Sequence, residues 1–443
     1  MRISAWRYIW TAEDLRNRIL ITIALLVLYR LAAHVPVPGV NVEAVRAILE
    51  QGGAGGNFLG ILDLLSGGTV SNFSVLAMGV YPYITAQIIL QLLVPIIPRL
   101  QRIMEEDPTR GRELMERWTY YLAVPMAALN AFGQIQLIRT LQPATGTPIL
   151  NFGELGFNLP TITMIVAMTG GTMFAIWLGE LISEYGLRKQ GLSLIIFAGI
   201  VARIPSQLLT LLQDQSRWLI SLVTFLVLVA LMVFVIVFVQ QGRRNVPVLY
   251  PGRRMGNRMS MPVRGNLPLQ INMAGMIPII FAQALLSFPA IIAQFFVNSS
   301  TQWVADAAAA VSRLFGGTSD WYWLLYFAMV VLFTFFYTDV LFTQQNYGEN
   351  LKRAGAQIPG VTKGTPTQKY LTKVLRRITL PGALFLGVVA VMPFLVRPLL
   401  GVSGSLSILS TGLLIVVGVV RDTFFGLDAE LKLRGYNDSL LVK

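Results

Sequence analysis

His34 is the only histidine in the chain, and there is no cysteine. A thiolate nucleophile, a structural disulfide and a Cys/His metal site are therefore excluded by residue type alone. No phosphate-binding glycine loop, HExxH helix or Ser/His/Asp set is present, since His34 is the sole candidate base. At the end of the first apolar run it reads as an interfacial side chain with its hydrogen bonds satisfied. The abundant reactive groups are instead guanidinium and ammonium. Residues 240–268 hold Arg243, Arg244, Arg253, Arg254, Arg258 and Arg264 with no acid at all. Residues 344–378 hold Lys352, Arg353, Lys363, Lys369, Lys373, Arg376 and Arg377 against Glu349. Short basic clusters are explained by membrane topology and anionic lipid. Basic loops of about 30 residues usually have a task of their own, and these two suit docking of an anionic partner such as RNA or an acidic protein surface.

Inside the apolar stretches ionisable groups are scarce. Arg30, Glu180, Arg203, Asp339, Arg397 and Arg421 fall near span ends, where long side chains reach the interface cheaply. Ion-coupled transporters usually keep such groups near the midplane, so their absence argues against coupled transport. The lack of a nucleophile–base pair argues against an intramembrane enzyme. Polar residues that remain, Asn272, Gln283, Gln87 and Gln91, suit hydrogen bonds between helices. Helix breakers are frequent: Gly275, Pro278 and Pro289 in one stretch, Gly199 and Pro205 in another. Several breakers around one pathway favour a structure that opens.

These side chains must be positioned by membrane helices. The 443 residues are 54% hydrophobic and 13% charged, the composition of an integral membrane protein. Ten spans are expected, at 19–35, 73–97, 118–138, 159–182, 192–212, 218–239, 271–296, 321–343, 379–396 and 405–420. The first is followed by Pro36-Val37-Pro38 rather than a small-residue cleavage site, so it is expected to remain as a span. An even count puts both termini on one side. The basic residues of the N-terminus, the 2–3, 4–5, 6–7 and 8–9 loops and the C-terminal tail gather the whole formal net charge of +13 on that face, which makes it cytoplasmic. On the other face, Ala305–Ala310 predicts a short surface helix.

One region is unusual. Asn57–Leu65 is apolar but far too short to cross a bilayer, which takes about 20 helical residues. It stops at Ser66-Gly67-Gly68, and a stretch long enough to span follows, with Pro82 inside it. Half a helix, a glycine hinge and a whole helix are tolerated in a membrane only where the broken backbone is buried in protein or lines a cavity. An enclosed pathway with a movable piece is the expectation.

Several ordered segments carry a close resemblance to a known family. They are VPVPG (35–39), SGGTVSNFSVLAMGVYPYITAQIILQLL (66–93), WLGELISEYG (177–186), LSLIIFAGIVA (192–202), LPLQINMAGMIP (267–278), FFYTDVLF (335–342) and LRGY (433–436). Along nearly its full length the chain resembles the SecY/Sec61-alpha family of protein-conducting channel subunits. The resemblance implies an all-α polytopic membrane protein in which two pseudo-symmetric, inverted five-helix halves, 1–212 and 213–443, surround an hourglass pore. It implies a plug at Asn57, Phe58, Leu59, Ile61, Leu62, Asp63, Leu64, Leu65, Ser66, Gly67 and Gly68. A pore ring would comprise Val80, Ile84, Leu192, Ile196, Ile280 and Ile415. A lateral gate would carry Thr85, Gln91, Asn272 and Phe288.

The family further implies SecE and SecG as companion subunits, and the SecA motor ATPase or a ribosome as driving partner. These partners would dock on residues such as Arg243, Arg244, Arg253, Arg254, Arg258, Lys352, Arg353, Lys363, Lys369, Arg376 and Arg377. Signal peptides, nascent or preprotein chains and membrane lipid complete the implied contacts. No cofactor, no metal and no enzymatic activity are expected, and the location implied is a bacterial plasma membrane. Two segments depart from the family pattern. Gly186-Leu187-Arg188-Lys189-Gln190-Gly191 is one residue longer and more basic than the usual turn after span 4. Pro359-Gly360-Val361-Thr362-Lys363-Gly364 has Thr362 where the family keeps an arginine, with Lys363 beside it. Lysine keeps the charge but not a bidentate contact. Readings from other classes are a secondary transporter with inverted repeats, an intramembrane enzyme, and an accessory channel devoted to few substrates.

Overall fold

A computed structural model describes residues 10, 12–41, 73–94, 96–140, 158–187, 190–202, 204–205, 218–251, 254–255, 258–259, 263–296, 301–315, 319, 321–400 and 407–433. In chain order the helices are α1 (Glu13–Ala32), α2 (Tyr81–Leu93), α3 (Pro98–Glu106), α4 (Pro108–Thr140), α5 (Leu159–Tyr185), α6 (Gly191–Val201) and α7 (Trp218–Gln241). Strands β1 (Arg243–Tyr250), β2 (Arg254–Met255), β3 (Arg258–Met259) and β4 (Val263–Gln270) follow. Then come α8 (Ile277–Phe296), α9 (Gln302–Phe315), α10 (Tyr322–Gln344), α11 (Tyr347–Arg353), α12 (Thr365–Leu400) and α13 (Ser407–Leu433).

Each expected span falls on one helix: α1, α2, α4, α5, α6, α7, α8, α10, α12 and α13. Several differ in length from the apolar stretch that announced them. Among the described residues three helical segments, Leu159–Tyr185, Tyr322–Arg353 and Thr365–Met392, are individually long and apolar enough to cross a membrane. The pair Tyr81–Leu93 and Pro98–Met104 passes the same test together, across a 97° bend. The second span was expected over 73–97, yet its helix has only 13 residues. Residues 73–80 form turns, with Phe73 at φ 39° and Gly79 at φ 51°, and Pro82 sits in the first turn of α2. Proline lacks an N–H and suits that place, where no helical acceptor is lost. The seventh span begins at Ile277 rather than 271, because Gly275 at φ 64° occupies a left-handed conformation that a helix does not admit.

The two sets of five spans pack in the same order. In the first, span 2 (α2) packs on span 3 (α4), α4 on span 4 (α5), α5 on span 5 (α6), and span 1 (α1) on both α5 and α6. In the second, span 7 (α8) packs on span 8 (α10), α10 on span 9 (α12), α12 on span 10 (α13), and span 6 (α7) on both α12 and α13. Across the sets, α2 and α4 meet α8, and α6 meets α13. The exposed side chains are those of a lipid-facing surface. Leu20, Ile23, Val27 and Leu31 form such a stripe along α1, spaced as one face of a helix.

Close approach is enforced by glycine at two places. A Cβ on Gly171 of α5 would lie 2.1 Å from the carbonyl oxygen of Val75, so α5 is pressed onto the non-helical 73–80 segment. A Cβ on Gly191 would lie 1.7 Å from the Gly179 carbonyl oxygen, which lets α6 start directly against α5. Both contacts are with backbone, which cannot swing away.

The 240–268 loop, expected only as a basic loop, contains an antiparallel hairpin. β1 pairs with β4 from Arg243↔Gln270 to Tyr250↔Val263, and the short β2–β3 pair caps it. The 344–378 loop is largely helical. The two meet: Leu249 and Gln357 exchange backbone hydrogen bonds of 2.8 and 2.9 Å. Val246, Val248 and Leu269 of the hairpin bury with Phe342, Leu351, Ile358, Leu371 and Leu375 in one core. What reads as two loops is a single folded body beneath spans 6 to 9. The predicted helix at Ala305–Ala310 is α9, longer than expected at 14 residues.

Candidate functional site

Four spans converge on an aliphatic centre. Val80 precedes α2, Ile84 lies one turn into it, Leu192 and Ile196 stand one turn apart on α6, and Ile415 is on α13. Val80, Ile196 and Ile415, each at most 5% exposed, belong to one buried cluster, and the half-buried Ile84 and Leu192 pack against it. Ile280 of α8, the sixth residue of the implied ring, packs instead with Tyr81 and Ala284. Ile84 and Met276 border both clusters and so join Ile280 to the other five. Met276 had no place in the sequence-derived set. Its signal was available in the MAGMIP segment, where a breaker glycine sets the residue just ahead of the helix. Burial of these side chains supplies no direction: apolar contact is roughly proportional to area and indifferent to partner.

The seam beside this centre lies between α2 and α8. Thr85 is half-buried and its hydroxyl donates to the carbonyl oxygen of Tyr81, 2.9 Å away on its own helix. Gln91 is half-buried further along α2, and Gln87 is exposed. Asn272 is 2% exposed; its amide nitrogen donates to the Gly275 carbonyl oxygen at 3.1 Å, bracing the turn before α8. Its Oδ1 is buried and has no hydrogen-bond partner among the described residues. Phe288 lies within α8 as helix backbone. The plug positions Asn57, Phe58, Leu59, Ile61, Leu62, Asp63, Leu64, Leu65, Ser66, Gly67 and Gly68 lie outside the described residues.

The basic groups divide by surroundings. Arg243 and Arg244 are exposed at the base of β1, with the Arg243 guanidinium 6.0 Å from the centre of the Phe425 ring. Arg254 and Arg258 stand on β2 and β3, and Arg253 is outside the described residues. Lys352 and Arg353 each approach Glu349 at 3.7 Å on the short helix α11. Lys363 is exposed in the turn before α12, where the Thr367 hydroxyl donates to the Thr362 carbonyl oxygen at 2.7 Å. Lys369, Arg376 and Arg377 are exposed on α12, beside an open groove of about 680 Å³ also lined by Gln368, Lys373 and Leu380. Arg376 grips Asp339 of α10 with two nitrogens, the shorter contact 2.7 Å. That contact favours the charged guanidinium and raises its pKa further. Burial raises the Tyr347 phenol in the same body. His34, at the far end of α1, lies 2.7 Å from the Arg30 carbonyl oxygen through Nδ1. Among the described residues no group of His, Cys, Asp and Glu could hold a metal ion.

Two contacts tie the first and last spans together at the basic face. Arg18 of α1 meets Glu430 of α13 at 3.0 Å, both about one-fifth exposed. Leu15 packs there with Leu427 and Leu431.

Fold and site together define a polytopic helical membrane protein with an aliphatic centre and a basic extramembrane body. The SecY family profile matches residues 74–424. A protein translocase subunit SecY from Aquifex aeolicus is 38% identical over 427 residues, covering 96% of each chain. One from Streptomyces scabiei is 35% identical over 442 residues, covering 99% of this chain and all of its own. The chain belongs to the SecY family, a family of channels rather than enzymes. Solved structures agree in fold. One described as a protein-conducting channel superposes with a TM-score of 0.63 at 18% identity, covering 96% of this chain and 95% of its own. A Sec61 channel from a canine ribosome–channel complex of the endoplasmic reticulum gives 0.61 at 18%, with the same coverage.

Proposed function

We propose that this chain is the pore-forming subunit of a bacterial protein translocase. It conducts unfolded, signal-bearing polypeptides across the plasma membrane and releases apolar segments sideways into lipid. The observation that carries the reading is the meeting of aliphatic side chains from spans 2, 5, 7 and 10. In a closed channel such a ring excludes water and ions by dewetting. It also yields around a passing chain without selecting a sequence, because apolar contact has no directional requirement. Val80, Ile84, Leu192, Ile196, Ile280 and Ile415 form this ring in the proposal, with Met276 beside it.

The seam between α2 and α8, carrying Thr85, Gln91, Asn272 and Phe288, is the lateral gate. The few polar groups there keep its two walls separable, and a signal segment partitions through it by its own transfer free energy. The segment 57–68 acts as the plug. The halves 1–212 and 213–443 act as two jaws, a division supported by their matching order of helix packing. The basic body receives the driving partner, SecA or a ribosome, and SecE and SecG complete the assembly. Both termini face the cytoplasm, on the side of the basic body. No chemistry is required of this chain, since the work comes from the partner.

The test is protease protection of a signal-bearing preprotein in proteoliposomes holding this chain and its SecE-like subunit, with motor ATPase and ATP outside. Protected preprotein that needs the chain, the motor and ATP is the expected result. No protection from a folded, motor-binding preparation would overturn the reading.

A further inference from the structure

Helix α9, which joins spans 7 and 8 at the end of α8 away from the hairpin, has an unexplained surface. It is amphipathic in a particular sense. Val304, Ala308 and Val311 are turned inward, Ala308 buried and the two valines half-buried, and α9 packs on α8. Its outward stripe is Trp303, Ala307, Ala310 and Leu314, spaced as one helical face, with Trp303 73% and Leu314 39% exposed. Gln302, Asp306 and Arg313 border that stripe along one edge only. An outward apolar stripe with polar residues to one side is the pattern of a helix lying in a membrane interface, with tryptophan at headgroup level.

The exposed surface around α9 says what covers the stripe. Immediately before it, Ile292 and Phe296 of α8 are exposed; immediately after it, Trp321, Trp323 and Leu324 are exposed. In a chain that spans the bilayer these flanking side chains are the lipid-facing ends of spans 7 and 8. The exposed apolar side chains of α8 and of the start of α10 thus flank the α9 stripe on both sides along the chain, with the polar residues 298–302 between Phe296 and Trp303.

We propose that α9 lies on the bilayer, with Trp303, Ala307, Ala310 and Leu314 sunk into the headgroup–acyl boundary of the leaflet opposite the basic body. The occupant is lipid, not protein. Because α9 is the direct continuation of α8, the helix that lines the seam, span 7 is moored to that leaflet at one end and to the hairpin at the other. The inference does not depend on what passes through the channel.

The chain has no cysteine, so single-cysteine labelling has no background. Ala310→Cys and Gln302→Cys, each carrying an environment-sensitive fluorophore, would be prepared in the full-length protein. Reconstitution would use phosphatidylethanolamine/phosphatidylglycerol vesicles. Nitroxide lipids labelled near the headgroup should quench the probe at 310, and aqueous iodide should quench it several-fold less than the probe at 302. Trp303→Glu should return the probe at 310 toward iodide access. Equal iodide quenching at 302 and 310 would overturn the proposal in favour of a solvated helix. Protection from iodide at 310 with no quenching by nitroxide lipid would overturn it in favour of a protein partner. Translocation is not measured in any arm, so failure here leaves the proposed function standing, and failure of that function leaves this result interpretable.

Discussion

The aliphatic centre and the basic body are held together by opposite means. At the centre, side chains from four spans meet through apolar contact, and the polar groups nearby bond within their own segment: Thr85 to Tyr81, Asn272 to Gly275. In the body, eight register pairs, a backbone exchange between Leu249 and Gln357, and the Arg376–Asp339 fork fix position by direction. Contacts without direction can be broken and remade at one another's expense; contacts with direction resist displacement. The first suits a part that opens, the second a part that is gripped.

The contrast can be broken at four points. Gly171→Val should have the largest effect, because its Cβ would meet the Val75 carbonyl within 2.1 Å and neither backbone can yield. A cost of about 3 kcal/mol or more is expected, read as loss of a folded, monodisperse peak in detergent. Val248→Asp, at a position 1% exposed in the body core, should cost about 3 kcal/mol through an unpaired buried carboxylate. Binding of the driving partner should fall while ion leak through reconstituted channels stays at the parent level. Leak rising with it would mean the body and the centre are not separate.

Ile415→Asn tests the other side. It should leave thermal stability of the body unchanged yet hydrate the ring, raising ion conductance and passing preproteins with defective signals. Unchanged conductance and stringency would remove Ile415 from the ring. Arg376→Lys should be smallest. The fork becomes a single contact at an exposed site, where ion pairs contribute about 1 kcal/mol or less. The melting temperature should shift by only about 1 °C, because the shift per kcal/mol falls as the chain lengthens.

The spans were legible because twenty or so apolar residues in a row have one cheap conformation in a bilayer. Their ends were less so. Gly79 and Gly275 show why: each stands inside an apolar run, and only its positive φ reveals that the helix has not begun. The hairpin was missed for a different reason. VPVLY and LPLQ alternate weakly, and their prolines at 247 and 268 argue against strands; pairing places both on a two-stranded ladder that is all edge, where a missing N–H costs little. The union of the two basic loops was not legible at all, since the core that Val248 and Leu371 share is set by tertiary packing. Among candidate site residues, five of the ring positions and Met276 lie in or against one cluster, and the order of helix packing repeats between the halves. Neither relation exists along the sequence.

Helix α12 carries a mechanical consequence. Its 36 residues reach about 54 Å, against a hydrocarbon thickness of about 30 Å, so nearly half of it stands outside the bilayer. Leu371 and Leu375 of that outer portion are built into the core of the body. A rotation of only about 5° about its membrane end displaces the other end by about 5 Å, close to one helical pitch. The helix is thus a stiff bar with one arm in the bilayer and a slightly shorter one built into the body, so that span and body can tilt only together.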